Sequence, residues 1–300
     1  MKLASFHDGA SIRIGLVEGD EIADLRTSDE RLPGDLITLI AAGPEGLQAA
    51  RRAADSALRL PLQNVRLAPP IVAPRKFLGL GLSFRSHVEE MRAKGDVIPA
   101  HQLWFNKQVT SLNGPYDPIH MPRVSSQLDY EGELAIVIGQ RARHVRGAAA
   151  RSIIAGFMIC NDVSVRDWQR RSPTGTLGKS FDTHGPIGPW MTTIDEAPAP
   201  EGLSIRTWVD GELRQDGNTS DLIYAFEEMI EELSTVFTLE PGDILATGTP
   251  RGVGGGFTPP RFLREGQTVK VEVEGLGYIQ NLVIPEPGMI TNAPRDQLLS

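Results

Sequence analysis

The sequence predicts a mainly β protein with few helices: a small α+β module over residues 1–70, then a mixed β-sandwich or roll over residues 71–300. Three observations carry this prediction. Most apolar runs are short, β-branched and bounded by turn residues, as strands are. Glycine turns such as Asp210-Gly211 separate paired runs. Pro69, Pro70 and Pro74 form a stiff connector where the front module would end.

Taken in order, residues 12–18 and 21–25 alternate about Gly19-Asp20, which predicts a hairpin. Helical stretches follow near residues 34–42 and 45–58, the second rich in Ala and Arg. Gly79, Gly81 and the turn Lys94-Gly95-Asp96 bracket a segment able to close as a lid. Residues 153–160 are apolar and too short for a helix, so they read as a buried strand. Residues 204–209 and 212–215 flank Asp210-Gly211, and 268–274 and 278–284 bracket Gly275-Leu276-Gly277; both are expected hairpins. One long helix is predicted over residues 221–237, capped by Ser220 or Thr219. Its core stripe is Leu222, Ile223, Phe226, Met229, Ile230 and Leu233, with Glu227, Glu228, Glu231 and Glu232 toward water.

Composition narrows the function. A net charge of −8 disfavours nucleic acid or an anionic membrane as partner. Cys160 is the single cysteine, so no intrachain disulfide forms and a reducing compartment is expected. Set in an apolar run, it reads as a buried, inert thiol. No stretch approaches the ~20 apolar residues that span a bilayer, and the N-terminus lacks a signal-peptide core. A cytoplasmic enzyme is expected. The run Gly252-Val253-Gly254-Gly255-Gly256 has no following Lys-Ser/Thr, so it predicts a mobile loop beside a site rather than a phosphate cradle.

The chemistry concentrates in Asp129-Tyr130-Glu131-Gly132-Glu133, which opens an apolar β-branched run. Alternation puts Glu131 and Glu133 on one strand face, with Cα atoms about 7 Å apart. Two carboxylates entering a core repel each other and resist desolvation unless a positive charge joins them. A third acid, Asp162, stands where the run 153–160 opens into a loop. Three acids with all-oxygen donors suit Mg²⁺ or Mn²⁺ better than zinc. A pair of surface acids and an Asx turn at Asp162 are the plainer alternatives. His87 and Glu90 share a face if residues 86–91 form a helical turn. The carboxylate would then raise the basicity of the imidazole, giving a general base, or the two form a mere surface ion pair. Arg166 either points toward the acids or pairs with neighbouring Asp167. Thr247-Gly248-Thr249 offers hydroxyls and close N–H groups for a carboxylate or carbonyl oxygen.

These segments, with Asn161–Asp167, Gly178-Lys179-Ser180-Phe181-Asp182-Thr183, residues 241–250 and residues 81–90, resemble the fumarylacetoacetate hydrolase family over residues 74–285. The resemblance implies that family's fold and a homodimer. It assigns metal ligation to Glu131, Glu133 and Asp162, and catalytic roles to His87, Glu90 and Lys179. Substrate contacts fall to Arg166, Gln169, Thr247, Gly248 and Thr249. Ser83-Phe84 stands where the family often has Asn-Tyr, which removes an amide and a hydroxyl from that position.

The expected reaction is metal-dependent hydrolysis of the carbon–carbon bond of an acylpyruvate-type 2,4-dioxo acid. His87 would deprotonate the water and Lys179 would hold developing negative charge. Decarboxylation of oxaloacetate, or tautomerisation or isomerisation of a hydroxydiene dioate, would use the same site. A non-catalytic small-molecule binder on this fold is the alternative from another class.

Overall fold

The protein is described by a computed structural model covering residues 1–95 and 97–288. The front of the chain forms β1 (Lys2–Asp8), β2 (Ser11–Glu18) and β3 (Glu21–Asp24), then α1 (Leu36–Ala41), α2 (Gly43–Ala54), β4 (Leu58–Pro61) and β5 (Leu67–Ala68). The middle holds β6 (Phe77–Gly81), α3 (Arg85–Ala93), β7 (Leu103–Lys107), β8 (Leu112–Asn113), β9 (Ile119–Met121), β10 (Leu128–Asp129) and β11 (Gly132–Ile138). After α4 (Ala148–Ser152) come β12 (Ile154–Asn161), β13 (Ser164–Val165), α5 (Arg166–Gln169) and β14 (Gly185–Thr193). The chain closes with β15 (Ser204–Val209), β16 (Glu212–Asn218), α6 (Phe226–Val236), β17 (Ile244–Ala246), β18 (Thr268–Val273) and β19 (Gly277–Pro285).

Two large mixed sheets dominate, as the mainly β reading requires. One runs β4-β3-β2-β1-β14-β12-β11-β17-β6-β7, with β5 and β8 attached; the other runs β16-β15-β18-β19-β9. The three expected hairpins form: β2/β3, β15/β16 and β18/β19 pair antiparallel. Their inward residues, Ile205, Val209, Val269, Val271 and Val273 among them, join a core with Leu134, Ile136 and Phe157 from the larger sheet. The front strands pair with the body through β1 and β14, with Leu3 opposite Met191. One continuous sheet therefore crosses the Pro69-Pro70 connector.

Two helices depart from expectation. The second front helix stops at Ala54 rather than residue 58, because Leu58 pairs with Asp24 as the start of β4. The late helix begins at Phe226 rather than residue 221, and neither Ser220 nor Thr219 caps it. The Thr219 hydroxyl serves Gly202 N–H, Leu203 N–H and Pro200 O instead. Leu222 bridges to Phe84, and Ile223 N–H donates to Ser83 O at 2.7 Å. Those contacts pull residues 222–223 out of the helix and brace the start of α3. The remaining stripe of Phe226, Met229, Ile230 and Leu233 is buried, each side chain contributing roughly 1.5–3 kcal/mol. Lys94 and Gly95 form the expected turn, whereas Asp96 lies outside the described residues. No helix among the described residues is long and apolar enough to cross a membrane.

Candidate metal and proton-transfer site

Strand pairing builds the acidic cluster. All seven residues of β11 are buried, and β11 lies between β12 and β17. The register sets Gly132 opposite Asn161, so Glu131, one residue before β11, meets Asp162, one residue after β12. Asp162 N–H donates to Glu131 O at 2.8 Å and closes that corner. Carboxylate oxygens of Glu131, Glu133 and Asp162 all lie within 4.8 Å of one another, on residues no more than 5 % exposed.

Four acids and three cations share this region. Arg166 bonds Asp129 through Nε at 2.7 Å and Glu131 through Nη1 at 2.6 Å. Lys179 Nζ bridges Glu131 and Asp162 at 2.6 Å each, and Lys107 Nζ reaches Asp162 at 2.7 Å. Burial would raise the Glu131 carboxyl, but the Lys179 and Arg166 charges outweigh it and hold it well below the usual range. Glu133 has no cationic partner among the described residues; its carboxylate accepts only Gly248 N–H, at 2.8 Å. Burial, and then the Asp162 and Glu131 charges, push its carboxyl well above the ordinary value. A buried carboxylate set beside two charged acids is stabilised by a cation placed among them. A divalent ion shared by the three carboxylates would let Glu133 ionise, so the residues fit Mg²⁺ or Mn²⁺.

The dyad comes from α3. His87 Nδ1 lies 2.9 Å from Glu90 Oε2. Burial alone would raise the Glu90 carboxyl, but bonds from His87 and Gly252 N–H hold it below the usual range. An ionised carboxylate only accepts, so Nδ1–H is the donor in this contact. The glycine run packs tightly against this helix. Gly252 N–H donates to Glu90, and Lys94 Nζ donates to Gly255 O and Phe257 O. Gly254 N–H and Gly255 N–H donate to Asp129. A Cβ at Gly256 would collide with the Glu90 carboxylate, which explains a glycine there.

The clusters open on one cavity of about 270 Å³, lined by His87, Glu131, Glu133, Arg166, Gln169 and Lys179 among others. Arg166 Nη2 is buried and has no hydrogen-bond partner among the described residues. Gln169 Oε1 accepts from Arg166 Nη1 at 3.1 Å. Thr249 lines the cavity, while its hydroxyl donates to Gly132 O. Thr247 and Gly248 do not line it. The Thr247 hydroxyl donates to Leu134 O and the Gly248 N–H to the Glu133 carboxylate, so both donors are committed within the protein. Asp167 takes Ser125, so it is not the partner of Arg166. Ser83 is buried and donates to Thr247 O at 2.6 Å, a framework contact.

Lys107 and Asp129 were missed in the sequence. Lys107 sits 55 residues from Asp162 with no local signal. Asp129 did have one, since alternation places it with Glu131 and Glu133.

Residues 76–284 match the family model described as fumarylacetoacetate (FAA) hydrolase C-terminal. An oxaloacetate tautomerase of Bacillus subtilis is 40% identical over 288 residues, covering 90% of this chain and 95% of that protein. A fumarylacetoacetate hydrolase structure from Exiguobacterium antarcticum superposes with TM-score 0.84 at 36% identity, covering 95% of this chain and 100% of that one. Maleylpyruvate hydrolase from Sphingobium sp. SYK-6, solved with manganese(II) and pyruvate, gives TM-score 0.79 at 33% identity, covering 96% and 100%. A strand-rich fold of mixed sheets with a buried carboxylate triad defines a metal-dependent enzyme class. This chain belongs to the fumarylacetoacetate hydrolase family.

Proposed function

We propose that this chain interconverts the enol and keto forms of an oxaloacetate-type 2-keto acid, using Mg²⁺ or Mn²⁺. The observation that carries the reading is one proton carrier, His87, opening on the same cavity as Glu131 and Glu133, two acids of the carboxylate triad. Tautomerisation asks for that and nothing more: a proton leaves one atom of the substrate and arrives at another. Hydrolysis asks in addition for a placed water. The likeness to an oxaloacetate tautomerase supports the simpler reaction over the acylpyruvate hydrolysis expected from the sequence.

Glu131, Glu133 and Asp162 would hold the ion, whose chemistry is to draw electron density from the keto oxygen and acidify the adjacent C–H. Arg166 Nη2 donates to the 1-carboxylate and fixes its orientation. His87 Nε2 takes the C3 proton as the C2–C3 double bond forms, and returns it to the C2 oxygen. Glu90 stabilises the imidazolium in between. Lys179, clamped between Glu131 and Asp162, keeps fixed positive charge beside the developing oxyanion.

The test is the absorbance decay of freshly dissolved enol-oxaloacetate with Mg²⁺, Mn²⁺ or EDTA. Acceleration by metal-loaded protein that EDTA removes is expected; decay at the uncatalysed rate would refute the reading. Hydrolysis of an acylpyruvate is the second reading, favoured by the maleylpyruvate hydrolase likeness, and pyruvate release would reveal it.

A further inference from the structure

Four basic side chains line the cavity: His87, Arg166, Arg170 and Lys179. Three are already committed to acids, His87 to Glu90, Arg166 to Asp129 and Glu131, and Lys179 to Glu131 and Asp162. Arg170 alone makes no ion pair or side-chain hydrogen bond among the described residues, and it is exposed. It therefore stands at the open end of the cavity.

The backbone fixes where that charge sits. Arg170 N–H donates to Arg166 O at 3.2 Å, so Arg166, which opens α5, and Arg170, which caps its C-terminal end, stand one turn apart. One turn advances about 5.4 Å. The inner guanidinium is tied to Glu131 beside the triad. Arg170 follows it by one turn of backbone and lines the same cavity. Around Arg170 the rim is polar too, with Ser172 and Thr174 lining the same cavity. An apolar wall of Leu80, Met91, Leu103, Phe105 and Val253 completes it, suited to the methylene between two charged ends.

We infer that Arg170 is the specificity-determining residue of the site: it receives the distal carboxylate of a four-carbon dicarboxylic keto acid and selects dianionic substrates over monoanionic ones. The inference rests on the keto-acid reading above and sharpens it. A charge with no protein partner is stabilised by an anionic end and gains nothing from a neutral one. It approaches no reacting atom, so its effect belongs in KM and Kd rather than in kcat.

The experiment compares oxaloacetate with its 4-methyl ester, which keeps the shape and loses the distal charge. Turnover is measured for wild type, Arg170→Gln and Arg170→Lys. Calorimetry on the Mn²⁺-loaded protein uses 3,3-difluoro-oxaloacetate and its 4-methyl ester, which have no C3 proton to exchange. Arg170→Gln is expected to raise KM and Kd for the diacids by about 10–100-fold, the worth of a charge-assisted hydrogen bond, and to leave those of the esters within about twofold. Arg170→Lys should recover part of the preference. Equal weakening of diacid and ester, or a preference that survives Arg170→Gln, would overturn the inference. Should oxaloacetate not be turned over while the diacid preference in binding still depends on Arg170, the tautomerase reading fails and the subsite stands.

Discussion

The two halves of the site are held by different forces. The triad is carried by the paired ends of β11 and β12, in the middle of a sheet, and its charges are locked by Lys107, Lys179 and Arg166. The dyad rides on α3, which buries only His87 and Val88. Side-chain bonds to the glycine run, and the brace at Ser83 and Phe84, keep that helix in place. A ladder of backbone bonds holds the three carboxylates in fixed register. A helix tied by reversible polar contacts can yield to admit substrate and close again. The metal end should therefore answer mutation through charge balance, and the base end through geometry.

The largest effect should come from Glu133→Gln. It removes a ligand but strands no cation, so metal-dependent turnover should vanish while the metal-free fold is as stable as wild type or more so. Glu131→Gln removes a ligand as well, yet leaves Lys179 and Arg166 short of a partner, and should cost about 3–5 kcal/mol of stability. Denaturant melts with and without Mn²⁺ separate the two; equal stability losses would break the charge-balance account.

His87→Ala comes next, with tautomerisation falling by about 10²–10⁴-fold at unchanged metal affinity. Glu90→Ala should lose about 10–100-fold, since it orients the base without touching substrate. Were both variants to turn over at the wild-type rate, the dyad would be only an ion pair. Gly256→Ala pushes a methyl into the Glu90 carboxylate. Turnover should drop while the melting temperature barely moves; a large stability loss would mean the loop is structural rather than a support for the base.

The smallest effect concerns framework, not chemistry. His184 is fully buried, and burial pulls its pKa down to about 3. The unfolded chain takes up a proton near pH 6.5 that the folded one refuses, so this contribution is complete above that pH and is lost as pH falls toward 3. Its slope is at most about 1.4 kcal/mol per pH unit. Unfolding free energies at pH 7 and 5 should differ less in His184→Asn than in wild type.

Local pattern carried far into this molecule. Period-two alternation gave the hairpins and placed Glu131 and Glu133 together, and the spacing of His87 and Glu90 gave their 2.9 Å contact. Reading failed where a local preference met a distant competitor. The late helix lost its first turn because Leu222 and Ile223 bond to Phe84 and Ser83. Thr247 and Gly248 give their donors to Leu134 O and Glu133, 113 and 115 residues away.

By itself the sequence placed Glu131 with Glu133 and His87 with Glu90, since each pair follows from spacing along one strand or one helical turn, whereas Asp162 joins the glutamates only through the pairing of β11 with β12. Only the tertiary structure decided how the acids are neutralised. Lys107 reaches Asp162 from 55 residues away and Arg166 reaches Asp129 from 37, pairings that, among the described residues, leave Glu133 as the acid of the cluster without a cation and Arg170 as the cavity-lining cation without an acid. Electrostatic complementarity depends on distance in space, and side chains brought together by strand pairing leave no periodic trace in the chain.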